Sequence, residues 1–317
     1  MKYPNLLQKI ASALALSERE LMLLVAKAPY SYKTYKVDKK TTGKRVISQP
    51  ARETKYLQRI LVDSVFSELP VHECATAYSR GSSIKKNADK HRLNQYFSKF
   101  DFKNFFGSIT EGDLVRHFTK HLSEVVAPDS YKVLSRISCI NHKDSAGLVL
   151  SVGAPSSPLL SNSIMYEFDC MMHAWCEGRG LVYTRYADDL TFSTNEKGLC
   201  FEIERAILEV LNGIEYPRLS LNDSKTIHVS KKGSRRITGI VVNNGGQLSL
   251  GRDKKRLISA MIHGFMQGRL DAVDVPKLQG LLGFAEDVEP LFCSRMRAKY
   301  GIKVMSELFQ YRTKKDN

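Results

Sequence analysis

Two aspartates stand side by side in "LVYTRYADDLTFS" (residues 181–193), a run otherwise made of strand-forming residues. Adjacent carboxylates repel each other and disfavour a strand interior. Pairing 181–187 with 190–194 puts Ala187, Asp188 and Asp189 at or near a hairpin turn, where the carboxylates project from a rigid sheet edge. A buried ionised carboxylate is costly unless a cation compensates it, and hard oxygen donors favour Mg²⁺. A third acid, Asp101 in "SKFDFKNFFGSI", ends an aromatic strand just before a turn. Acids on neighbouring strand ends can hold two metal ions a few ångströms apart. Such a pair suits in-line phosphoryl transfer: one ion activates the attacking hydroxyl and the other stabilises the leaving pyrophosphate.

The elements that must present these acids follow from periodicity. Residues 1–29 read as one or two amphipathic helices, and 32–49 as a hairpin with lysines at its tip. Leu57, Ile60, Leu61 and Val65 recur at helical spacing within 50–69, with Pro50 suited to the first turn. A basic Gly/Ser-containing segment (78–91) leads to the strand 96–102 and then to a mostly helical stretch ending near 140. Residues 153–177 read as a small-residue turn entering one long, largely buried helix. A helix is predicted over 199–212, short strands near 226–229, 237–242 and 247–250, and a basic helical region from Gly251 onward. Hairpins dominate over βαβ units, which predicts an α+β domain with an antiparallel sheet followed by a smaller helical domain.

Composition narrows the class. With 43% hydrophobic residues in 317, the chain can bury a real core and is not a disordered one. No apolar run approaches the roughly 20 residues of a membrane span, and the opening segment carries acids that a signal peptide lacks. Six scattered cysteines with no CxxC predict reduced thiols in a cytoplasmic protein. Lys+Arg 48 against Asp+Glu 33 leaves a net charge of +15, which points to a polyanionic partner, most often nucleic acid.

"YADD" in a hairpin, preceded in order by "FDFKNFF" and "GAPSSPLLSN", resembles the palm of reverse transcriptases, and within them the bacterial retron enzymes. "NADKH" (87–91) fits the retron NAxxH element, and "ITG" (237–239) is similar to its VTG element, with Ile237 for Val. The resemblance implies a right-hand polymerase: a helical extension at 1–29, fingers and palm at 30–245, and a basic helical thumb at 246–317. It implies Asp101, Asp188 and Asp189 as the ligands of two Mg²⁺ ions. Lys225 then corresponds to the lysine that protonates pyrophosphate, and Phe106 to the ring that excludes a ribose 2′-hydroxyl. Arg45, with Lys39 or Lys40, would clamp a deoxynucleoside triphosphate, and Gly153 would allow close backbone approach. Arg80, Arg235 and Arg236 belong to basic clusters suited to nucleic-acid contact, and by the resemblance Asn87, His91 and the 237–239 segment with Thr238 would help hold a cognate structured non-coding RNA. Retrons prime DNA synthesis from a 2′-hydroxyl of that RNA, leave a branched RNA–DNA hybrid bound to the enzyme, and serve anti-phage defence, usually with a separately encoded effector.

One departure stands in the third motif. Many retron enzymes have Pro-Gln-Gly where this chain has Ser151, Val152 and Gly153, and valine cannot make the glutamine's hydrogen bonds. "CMMHAWC" lines up Cys170, His173 and Cys176 at helical spacing, but with no fourth ligand evident core packing is the better reading. A group II intron-type reverse transcriptase shares the palm, yet about 70 residues beyond it leave little room for a maturase region. A non-catalytic RNA-binding scaffold would have no reason to keep all three acids.

Overall fold

The computed structural model describes residues 1–38, 43–142, 145 and 147–312. The chain divides into two compact units: 1–82 with 98–192 and 197–227, and 83–97 with 193–196 and 228–317. The division does not follow sequence order, because residues 83–97, with the short helix Ile84–His91, belong with the C-terminal helices.

The first unit is organised around a sheet whose strands run in the order Val182–Tyr186, Asp189–Thr194, Tyr96–Asp101, Ile227–Val229. Phe100 and Phe102 flank Asp101, so the period of two sends both rings to one face and the carboxylate to the other. Phe100 meets Phe192 edge-on at 5.9 Å, Phe192 stacks on Tyr183 at 4.8 Å, and Phe102 meets Phe168 at 5.7 Å. All four phenylalanines are buried, each worth roughly 1.5–3 kcal/mol relative to exposure. Helices cover this layer. Glu111–His121 starts at a capping box, with Thr110 Oγ1 accepting from the Asp113 N–H and the Asp113 carboxylate accepting from the Thr110 N–H. The hairpin Tyr32–Asp38/Lys44–Pro50 pairs in register from Tyr32↔Pro50 to Asp38↔Lys44.

Two local expectations change. Pro50 closes a strand instead of opening a helix; the helix that follows is Arg52–Asp63, and Val65 lies beyond it. The long helix expected over 153–177 is two helices, Ser157–Ile164 and Tyr166–Glu177. Arg185 Nη2 donates to the carbonyl of Asn162 at 3.3 Å, the acceptor that residue 166 would use in an unbroken helix.

The second unit packs helices Arg252–Met266, Val275–Val288, Pro290–Tyr300 and Ile302–Gln310 with the small sheet Arg235–Ile237, Ile240–Val242, Leu248–Ser249. Its core is the i, i+4, i+7 row Leu278, Leu282, Ala285 with Ile258, Ile262, Phe292 and Leu308. Thr238 and Gly239, at φ 45° and 86°, make the two-residue turn between the first two strands, and Thr238 Oγ1 donates to the Ile84 carbonyl at 3.3 Å.

Three residues expected to help bind RNA lie inside this unit. Asn87 and His91 are 0% exposed and Arg235 is 1% exposed. His91 Nδ1 is 2.7 Å from Ser193 Oγ, and burial pushes its pKa down to about 3, so the ring is neutral. Arg235 donates to the carbonyls of Asn94 and Asn243 and lies over the Phe97 ring. All three side chains thus lie inside the unit and not on its surface. Arg80 and Arg236 are exposed and Thr238 half-buried. Arg235→Ala leaves two carbonyls without their donor and is expected to destabilise the protein by about 2–4 kcal/mol, against about 0.5 kcal/mol or less for exposed Arg236→Ala. Equal thermal melting of the two variants would contradict this assignment.

Candidate active site

A cleft of about 820 Å³ in the first unit gathers Arg45, Asp101, Phe106, Gly153, Asp188 and Lys225. That volume falls within the roughly 300–1,000 Å³ of small-molecule sites. Six residues singled out from separate stretches of sequence thus meet around one space. Asp189 is half-buried at the start of its strand and does not line the cleft. Lys39 and Lys40 lie outside the described residues.

The backbone fixes the acids. The Phe102 N–H donates to the Asp188 carbonyl at 3.2 Å, and the Asn222 N–H donates to the Asp101 carbonyl at 2.7 Å. The carboxylate hairpin and the segment bearing Lys225 are thereby tied to opposite edges of the Asp101 strand. Lys225 Nζ reaches both oxygens of Asp101, at 2.7 and 2.8 Å. Burial alone would lower the Lys225 pKa, but the hydrogen bonds and charge of Asp101 outweigh it and raise it. Burial raises the Asp188 pKa, and the charge of Asp101 adds to the rise. Burial likewise lifts Asp189 to about 6; Lys99 opposes the shift, while Asp188 and Asp101 reinforce it.

The charge of Asp101 resists ionisation of Asp188 and Asp189, and the hydrogen bonds of Lys225 go to Asp101 alone. The all-oxygen, net-negative donor set of these carboxylates fits a hard divalent cation. Among the described residues no three His, Cys, Asp or Glu side chains form a ready coordination shell, since Asp101 is turned onto Lys225. Cys170, His173 and Cys176 form no such shell either.

Strain collects around the cleft. Of five non-glycine residues with positive φ among the described residues, Tyr78 (59°) and Asn104 (44°) line it and Ala187 (57°) precedes Asp188. Gly153 has φ 117°, and an added Cβ would lie 2.9 Å from Ile47 Cγ2 and 3.0 Å from the Ser48 carbonyl, so only glycine fits. Val152 uses its carbonyl to accept from the Ser48 N–H at 2.8 Å, which docks the Lys44–Pro50 strand here. Phe106, half-buried in a 3-10 turn, meets Phe105 at 5.4 Å.

Sequence reasoning missed Tyr78, Asn222, Lys55 and Arg59 in the cleft wall. Lys55 and Arg59 had a legible signal, a basic i, i+4 pair on a helix. Tyr78 and Asn222 had none, because only the fold brings their loops here.

The sequence pattern of the family described as reverse transcriptase (RNA-dependent DNA polymerase) matches residues 37–242, which include every one of these cleft residues. The chain belongs to that family. Among curated relatives, the Retron Ec83 reverse transcriptase of Escherichia coli is 36% identical over 293 residues, covering 92% of this chain and 93% of its own. The Retron Ec73 reverse transcriptase of the same species is 32% identical, covering 87% of this chain and 89% of its own. An apo telomerase structure from Candida tropicalis matches 89% of this chain and 61% of its own with TM-score 0.50 and 10% identity, a likeness of fold alone. This chain is thus a reverse transcriptase of the retron type with the right-hand polymerase fold, and its activity is RNA-directed DNA polymerisation.

Two outcomes follow from the charges. Asp189 titrates near 6 folded against 3.8 unperturbed, so the folded chain holds an extra proton between these values. The metal-free protein therefore loses stability as pH rises through that window, whereas a cation that needs the ionised form gains. Thermal stabilisation by Mg²⁺ should be small at pH 5 and grow towards pH 7; equal stabilisation at both would refute the site. Lys225 is 54% exposed in its side chain, so its pair with Asp101 is worth about 1 kcal/mol or less. Lys225→Gln should tighten Mg²⁺ binding to the free protein by a factor of a few, read by calorimetry.

Proposed function

We propose that this enzyme copies part of a cognate, structured non-coding RNA into DNA, starting from a 2′-hydroxyl of that RNA. Its product is a branched RNA–DNA hybrid that stays bound to the protein. Asp101, Asp188 and Asp189 hold two Mg²⁺ ions, which supply activation of the attacking hydroxyl and stabilisation of the leaving pyrophosphate. Arg45 holds the triphosphate of the incoming deoxynucleotide, with Lys39 a further cation near it in sequence. The Phe106 ring lies under C2′ and refuses an extra oxygen, Gly153 lets the backbone approach, and Lys225 gives its proton to pyrophosphate. Exposed Arg80, Arg236 and the Thr238 turn meet RNA, chiefly through its backbone and 2′-hydroxyls.

The observation that carries this reading is the meeting of two metal-seeking carboxylates, a guanidinium, an aromatic ring and an amine around one cleft. A scaffold that only binds RNA would have no use for carboxylates whose burial and mutual repulsion hold their pKa values above the usual range. The +15 charge supports a nucleic-acid partner. No helix among the described residues is long and apolar enough to cross a membrane. We place the enzyme in the cytoplasm, within an anti-phage system that includes a separately encoded effector.

Purification from a host carrying the native locus tests the proposal. RNA covalently joined to DNA should co-purify with the wild-type chain, and Asp188→Ala/Asp189→Ala should carry RNA alone. DNA in both preparations, or RNA without DNA in both, would overturn it.

A further inference from the structure

Ala187 sits at φ 57° and is buried, although an alanine in the left-handed region is strained. Something must hold it, because its conformation sets the direction of Asp188 and Asp189. Its carbonyl accepts from Arg185 Nη1 at 3.2 Å. Arg185 is fully buried and spends its other donors on two partners. Nε and Nη2 bind the Asp169 carboxylate at 2.9 and 2.5 Å, while Nη1 and Nη2 bind the Asn162 side-chain and main-chain oxygens at 3.2 and 3.3 Å. Asp169, also fully buried, accepts from the Tyr183 hydroxyl at 2.8 Å. Asn162 in turn donates Nδ2 to the Ala77 carbonyl at 2.7 Å.

The network has two outlets, and both reach the cleft. Ala187 precedes Asp188, and Ala77 precedes Tyr78, a left-handed residue of the cleft wall. A buried ion pair placed for stability alone is a weak device, since apolar residues of similar size commonly do as well. Here the guanidinium does what an apolar side chain cannot. It holds the strained Ala187 carbonyl and both oxygens of Asn162, and anchors them to Asp169.

We propose that Arg185, locked by Asp169 and Asn162, is the positioning residue of the active site: it fixes the left-handed turn that aims Asp188 and Asp189, and through Ala77 it fixes Tyr78. Arg185 touches no reacting atom. The inference rests on the carboxylates being the metal site, and Asp188→Asn decides that separately: unchanged Mg²⁺ affinity there would sink the metal reading, leaving turnover to judge Arg185.

The test compares Arg185→Lys with Leu21→Ala, a core truncation in the N-terminal helix Glu18–Lys27 that serves as a control for lost stability. Lysine keeps the charge beside Asp169 but cannot reach Ala187 and Asn162 together. Well below both melting temperatures, Arg185→Lys should lower kcat on an annealed RNA template and DNA primer by roughly tenfold or more, with KM for the primed template unchanged. It should also weaken Mg²⁺ binding to the free protein in calorimetry, and adding Ala187→Gly, which relieves the left-handed strain, should recover part of both losses. Leu21→Ala should keep kcat and Mg²⁺ affinity. If Arg185→Lys only melts earlier, with kcat and Mg²⁺ affinity like those of Leu21→Ala, the proposal fails. Should Arg185→Lys not fold, Asn162→Ala decides, since it keeps the ion pair but frees the Nη1 arm and Ala77. Reduced kcat and Mg²⁺ affinity would support the proposal, and wild-type values would overturn it.

Discussion

Carboxylates within Coulomb reach of one another tend to part or to take up protons, and this fold prevents the first. Asp101 is fixed by a strand between two buried phenylalanines, and Asp188 by a turn whose carbonyl is tied to the Phe102 N–H. The raised pKa values of Asp188 and Asp189 express the free energy stored in holding charge where water is scarce. The aromatic layer supplies the rigidity, the ion pair beneath the hairpin supplies the aim, and the Lys225 amine supplies partial neutralisation.

Neutralisation by Lys225 is deliberately incomplete in physical terms. A half-exposed lysine holds Asp101 weakly enough to be displaced, and its hydrogen bonds reach neither of the other two carboxylates. A buried, fully compensating arginine at this position would have closed the site. The chain does contain such an arginine, but it is Arg185, one layer deeper, where complete compensation stabilises the turn without quenching the acids above it.

The second unit separates two kinds of basic residue that look alike in sequence. Arg235 and Arg236 are neighbours on one strand, so the pleat sends one inward onto two carbonyls and the other outward. Only the outward member keeps its charge available to a polyanion. Asn87 and His91, one helical turn apart, face inward together from Ile84–His91 for the same geometric reason.

By itself, the sequence determined the acids, their presentation on strand ends, the α+β class and the basic balance, because each depends on local periodicity or residue chemistry. It also determined the family, through "FDFKNFF", "GAPSSPLLSN" and "YADD" in order. Tertiary structure alone decided that Lys225 lies on Asp101, 124 residues away, that the helix expected over 153–177 breaks, and that Tyr78 and Asn222 join the cleft. It also decided which members of the NAxxH and basic elements are buried. All of these follow from long-range contacts: Arg185 captures a carbonyl that a local rule assigns to the helix, and a strand's inward face is known only once its partner is in place.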